Sequence, residues 1–205
     1  MKTADFEPNK WAKVTYYSTL LFLLLLVVLH IIKSELDPTW RMISEYALGK
    51  NGWIMVLAFL VWALSFISLF FAIRSYIQKR LGKLGLIALW ISALGILIAA
   101  IFITDPVTAS PEEITTSGML HNLGGTLGMA MPLATILVGL SLMKNPEWAN
   151  ARRPVYFSTG LTLIGFLVSF ISLGVFLSET NGVFNETTPV GIPMRFEVVS
   201  YCIWY

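Results

Sequence analysis

Six residues of this 205-residue chain have side chains suited to chemistry and fall where helix ends could gather them: Ser44, Glu45, Asp105, His121, Asn122 and Arg195. Four arrangements would use them. In a hydrolase, Ser44 would be the nucleophile, His121 its base and Asp105 the group that orients the base, since triad members occur in any chain order. No nucleophile-elbow sequence surrounds Ser44, however, and serine is common in loops. A metal site would draw on His30, His121, Asp105 and Glu45. Two isolated histidines without HxxxH or HExxH spacing argue poorly for zinc, so neither metal nor cofactor is expected. A lipid head group or small polar ligand could bind between helix ends, with Arg195 and His121 touching an anionic group. In the fourth arrangement no ligand is needed: Glu45, Asp105, His121 and Arg195 close the bundle as a hydrogen-bonded, ionic lid, because buried polar groups must be paired. Ser44 would then be a helix N-cap, its hydroxyl bonded to a nearby backbone N–H.

The elements that must position these residues are legible from hydropathy. The chain is 56% hydrophobic and 13% charged, whereas soluble domains carry about 25% charged residues. The solvent that tolerates such a surface is lipid. A membrane-spanning helix needs about 20 apolar residues, and five runs qualify: Val14–Ile32, Trp53–Ile73, Leu84–Thr104, Met119–Met143 and Val155–Leu177. None contains Asp, Glu, Lys or Arg. Each must be helical, since backbone groups in hydrocarbon have no water to bond. Phe196–Tyr205 reads as the start of a sixth span. The first run is too long for a signal-peptide core of about 7–15 residues and is expected to be retained. The expectation is an all-α membrane bundle forming one domain over residues 1–205.

Orientation follows from Lys and Arg in short loops. Ten of the fourteen basic residues lie on the side of the N-terminus: Lys2, Lys10, Lys13, Arg74, Lys79, Arg80, Lys83, Lys144, Arg152 and Arg153. Lys33, Arg41, Lys50 and Arg195 lie on the other, with nine of the twelve acidic residues. The N-terminus is therefore expected in the cytoplasm, and loops 33–52, 105–118 and 178–195 on the extracytoplasmic face of a cell inner membrane. His121 and Asn122 would then open their helix, where unpaired N–H groups favour negative partners.

Small residues at Gly85, Ala88, Ser92, Gly95 and Ala99 form a stripe on the third span, where a neighbouring backbone can approach closely. Gly124 and Gly128 stand in GxxxG spacing ahead of Pro132, which should kink the fourth span, and Gly165 and Ser169 continue the theme on the fifth. Bulky Trp62, Phe66, Phe70, Phe166 and Phe170 are expected to face lipid or a partner. No ionisable residue falls near the centre of a span, which argues against ion pumps and channels. A net charge of only +2 argues against nucleic acid. Cys202 is alone, so no internal disulfide forms.

Ile43-Ser44-Glu45-Tyr46 with Gly49, Asp105 closing the third span and His121 opening the fourth resemble the small polytopic prokaryotic membrane proteins grouped as domain of unknown function 998. The resemblance implies a six-helix bundle with a shared polar cluster at one face and supplies no activity. The expectation is a non-enzymatic bundle, an accessory subunit or a lipid-binding protein, with the Ser44/His121/Asp105 hydrolase as the alternative. Membrane lipids and other membrane-protein subunits are the expected partners.

Overall fold

The computed structural model describes residues 9–205; Lys2, Asp5 and Glu7, which enter the charge count, lie outside them. Seven α-helices follow in order: α1 Lys10–Ile32, α2 Trp53–Ile73, α3 Arg80–Ile101, α4 Thr116–Gly128, α5 Met131–Met143, α6 Arg152–Glu179 and α7 Gly191–Trp204. The described residues contain no strand. Five segments are long and apolar enough to cross a membrane, with α4 and α5 together making one of them. This is a multi-pass membrane protein.

Local chemistry sets the ends. Asn9 caps α1 by accepting from the Trp11 N–H at 3.1 Å. Thr115 does the same for α4, accepting from the Gly118 N–H at 3.0 Å. The break between α4 and α5 is the work of Pro132. Proline cannot donate to the carbonyl four residues back and clashes with it, and that residue is Gly128, the last of α4.

The helices form a ring in chain order. Phe22 stacks on Trp62 with centroids 4.6 Å apart to join α1 to α2, and the Thr15 and Ser68 hydroxyls meet at 2.9 Å nearby. The small-residue stripe of α3 faces its own bundle, all five members buried. Gly95 shows why: a Cβ there would lie 2.5 Å from the Gly124 carbonyl oxygen and 2.6 Å from the Gly128 nitrogen. Close backbone contact of this kind replaces the hydrophobic drive that lipid does not provide. Likewise, a Cβ on Gly165 of α6 would come within 2.6 Å of the Ser200 hydroxyl on α7. Arg195 of α7, donating to His30 of α1 at 2.8 Å, closes the ring.

Three expectations need correction. The helix expected to open a sixth span at Phe196 is α7, which begins at Gly191 and has 14 residues. Arg195 and Glu197 interrupt the apolar run and hide its true start, while Pro193 is tolerated because the first helical turn has no use for its missing N–H. Helix α4 begins at Thr116, so His121 and Asn122 stand in its second turn, away from the free N–H groups. Finally, Trp62 and Phe66 face inward, 4% and 1% exposed. Phe70 and Phe166 are half-buried and Phe170 is exposed. Bulk alone does not reveal which face of a uniformly apolar helix meets lipid.

Candidate functional site

The loops after α1, α3 and α6 meet at one end of the bundle, here called the rim. Glu45 lies at its centre, in a short 3-10 turn over Ile43–Ala47, and is 1% exposed. Its Oε2 accepts from the Met42 N–H at 2.9 Å and its Oε1 from the Val107 N–H at 3.0 Å. The Arg41 guanidinium approaches Oε1 at 3.4 Å. One carboxylate therefore satisfies two loop N–H groups and ties the loop after α1 to the loop after α3.

Asp105 follows the end of α3, and Pro106 steers it away from helical geometry. Its Oδ2 accepts from the Thr115 N–H and its Oδ1 from the Thr115 hydroxyl, both at 2.8 Å. The carboxylate thus sits against the N-terminus of α4, where negative charge is favoured. Gly118 makes room for it, since a Cβ there would be 1.9 Å from Oδ2.

His121, 7% exposed, turns its Nδ1 toward the C-terminal end of α3, 3.0 Å from the Ala99 carbonyl oxygen and 2.9 Å from that of Phe102. Carbonyl oxygens only accept, so Nδ1 is a donor, and in the neutral imidazole Nε2 is the acceptor. Nε2 has no hydrogen-bond partner among the described residues.

Arg195 belongs to a different neighbourhood. Its Nε donates to His30 Nε2 at 2.8 Å. One terminal nitrogen donates to the Arg41 and Gly191 carbonyls at 2.8 and 3.0 Å, and the other to the Tyr46 hydroxyl at 3.2 Å. Every acceptor is neutral. His30 in turn points Nδ1 at the Leu26 carbonyl, 2.7 Å away.

Between the rim and α2, α3, α4 and α7 lies a cavity of about 960 Å³. Its mouth is polar, with Ser44, Glu45, Thr104, Asp105, Asn122 and His121. Its depth is apolar, with Phe59, Trp62, Phe66, Ile96 and Met129. Glu197 and Tyr201 line the α7 wall. No Lys or Arg is among the lining residues.

Five of the six anticipated residues line this cavity, and Arg195 does not. The structure spreads the anticipated ionic lid over separate contacts: Glu45, Asp105, His121 and Arg195 are not hydrogen-bonded to one another. Nor does the triad relay form. Asp105 is engaged by Thr115, and the Nδ1 it would have to orient is taken by two carbonyls. Ser44 is not an N-cap. It stands inside the 3-10 turn, whose cap residue is Met42, with Glu45 accepting from the Met42 N–H. Among the described residues no three of His, Cys, Asp and Glu converge as metal ligands.

Glu197 falls within the sixth apolar run, where no role is expected of it; it lies nearly two turns into α7. The signal was its spacing: Tyr201 is one turn on, and its hydroxyl donates to Glu197 Oε1. Tyr46, whose ring and hydroxyl both meet Arg195, has no sequence signal beyond its place beside Ser44 and Glu45.

Residues 17–205 match the family described as Protein of unknown function (DUF998), and the chain belongs to it. No curated protein and no solved structure matches the chain.

Proposed function

We propose that this member of the family binds an amphipathic membrane lipid in the rim cavity, holding its head at the mouth and its chain against the aromatic wall. The supporting observation is the gradient inside the cavity, from Glu45, Asp105 and His121 at the opening to Phe59, Trp62 and Phe66 at depth. Its volume of about 960 Å³ falls at the upper end of ligand sites, roughly 300–1,000 Å³. An apolar wall favours a hydrocarbon chain, while fixed polar groups near the entrance select the head. With carboxylates and no basic side chain around the lining, the head is not an extra anion. An anionic ligand held by Arg195 and His121 is therefore not part of this reading, since Arg195 is turned toward α1. Binding rather than hydrolysis is favoured because no proton relay links Ser44, His121 and Asp105.

Gly125 offers a clean test. It lines the cavity, and a Cβ added there meets nothing within 4 Å. Gly125→Trp adds bulk at the cavity wall from a position where a Cβ meets no neighbour. Gentle extraction followed by mass spectrometry should find lipid retained by the wild type and lost from this variant, with unchanged thermal unfolding. Equal lipid retention in both proteins would count against the cavity.

Sidedness on this proposal follows the basic residues, which put the rim outside the cytoplasm. Cys202 is the single cysteine and is buried, so introduced cysteines report cleanly. Thr108→Cys, in the exposed rim loop, should react with an impermeant maleimide on intact cells, whereas Gln78→Cys at the opposite end should react only after lysis. The reverse pattern would move the cavity to the cytoplasmic leaflet.

A further inference from the structure

We propose that the lipid head carries a cationic amine, and that Glu197 is its counter-ion, with Nε2 of His121 accepting one of its N–H groups. This rests on the reading of the cavity as an amphiphile site. Glu197 lies six residues after the first residue of α7, about 9 Å along the helix, on the cavity wall. Its polar neighbours are hydroxyls: Tyr201 donates to Oε1, and Ser169 of α6 lies beside the carboxylate. Neither is charged. Among the described residues the one ion pair is Arg41–Glu45, at 3.4 Å. Arg195 is close in sequence, but two residues on a helix point to different faces, and its guanidinium is committed to His30, Arg41, Gly191 and Tyr46.

Glu197 is half-buried, and a carboxylate partly removed from water is stabilised by a cation beside it. Among the described residues no Lys or Arg pairs with it, and the cavity gives a cation access. His121 contributes a second, independent indication. It is more than nine-tenths buried, its tautomer is fixed by two carbonyls, and the lone pair of Nε2 remains without a donor on the wall formed by α4. The two groups ask for a ligand that donates hydrogen bonds and bears positive charge. An ammonium does both, and the ring of Tyr201, whose hydroxyl donates to Glu197, lines the same wall, where an aromatic face attracts cations. A hydroxyl head would satisfy His121 and leave the charge on Glu197 unanswered. A carboxylate or phosphate head would be repelled by it.

Three amphiphiles of equal chain length separate these outcomes: dodecylamine, dodecanol and dodecanoate, each displacing a solvatochromic fluorescent amphiphile from the full chain in uncharged detergent. The Gly125→Trp protein, with bulk added at the cavity wall, serves as the blank for micelle effects. Dodecylamine should displace the probe at about tenfold lower concentration than dodecanol, equivalent to 1.4 kcal/mol, with dodecanoate weakest. Glu197→Gln should abolish the preference for amine while leaving dodecanol unchanged. The proposal is overturned if wild-type protein treats amine and alcohol alike, a result that needs no variant to fold, or if Glu197→Gln retains the amine preference. In both cases displacement by dodecanol would leave the amphiphile site itself standing. Absence of displacement by all three, relative to the Gly125→Trp variant, would remove the site and the head-group assignment together.

Discussion

Glu45→Ala should lower the unfolding free energy by about 3 kcal/mol, the largest loss expected from any single rim residue. The side chain is buried and answers two backbone N–H groups from different segments, those of Met42 and Val107. Truncation orphans both donors, and each buried unsatisfied group costs about 1–3 kcal/mol. Glu45→Gln should recover only part of the loss. An amide has one accepting oxygen, so its NH₂ would face one of the two donors. Arg41→Ala isolates the ionic component. Arg41 is 18% exposed, and a solvent-screened pair contributes about 0–1 kcal/mol. Reversible unfolding in bicelles should rank the variants Ala below Gln below Arg41→Ala. A Glu45→Gln protein as stable as wild type would mean that the carboxylate is not the acceptor joining the two loops.

Arg195→Ala should cost nearly as much, again about 3 kcal/mol, but by opening a different seam. Here the guanidinium makes four hydrogen bonds, to His30 Nε2, the carbonyls of Arg41 and Gly191, and the Tyr46 hydroxyl. These acceptors come from α1, the loop after it and α7 itself, so one side chain pins the last helix to the first. A hydrogen bond to a charged group contributes about 1.5–3 kcal/mol net, and four bonds sharing one guanidinium do not add. Arg195→Lys should regain less than half. Lysine places its donors at one point, whereas the planar fork of arginine uses Nε and both terminal nitrogens in separate directions. His30→Ala, which removes one of the four partners, should fall between wild type and Arg195→Lys. If Lys restores full stability, the fork geometry is irrelevant and only the charge matters.

The two variants also report on the cavity differently. Glu45 lines it and Arg195 does not. Lipid retention should therefore respond to Glu45→Gln more than to Arg195→Lys at matched stability.

Much of the architecture was present in composition and spacing. Five apolar runs without a charge demand helices, because nothing else satisfies the backbone in hydrocarbon. The small-residue stripe from Gly85 to Ala99 predicted close packing and found it against α4 and α5. Pro132 predicted a kink and marks a break. These features are local or periodic, so one strand of text carries them. Gathering Ser44, Glu45, Asp105, His121 and Asn122 at one end follows from counting spans, which places alternate loops together.

What the chain order cannot convey is which of several available acceptors each donor takes. Asp105 and His121 are plausible partners as residue types, yet Asp105 turns to the start of α4 and His121 to the end of α3. Helix termini carry unpaired N–H and C=O groups that must be answered, and both side chains are consumed in answering them. Arg195 meets His30, 165 residues away in the chain, because the ring of helices closes there. The first residue of α7 was hidden for a related reason: Arg195 and Glu197 depress hydropathy, and only their burial against α1 and the cavity makes them compatible with a helix in the bundle. Composition and periodicity determined that this is a helical membrane protein with five segments long and apolar enough to cross. Tertiary contact decided which polar side chains hold the fold and which were left facing a cavity, since that choice depends on distances between segments that hydropathy does not encode.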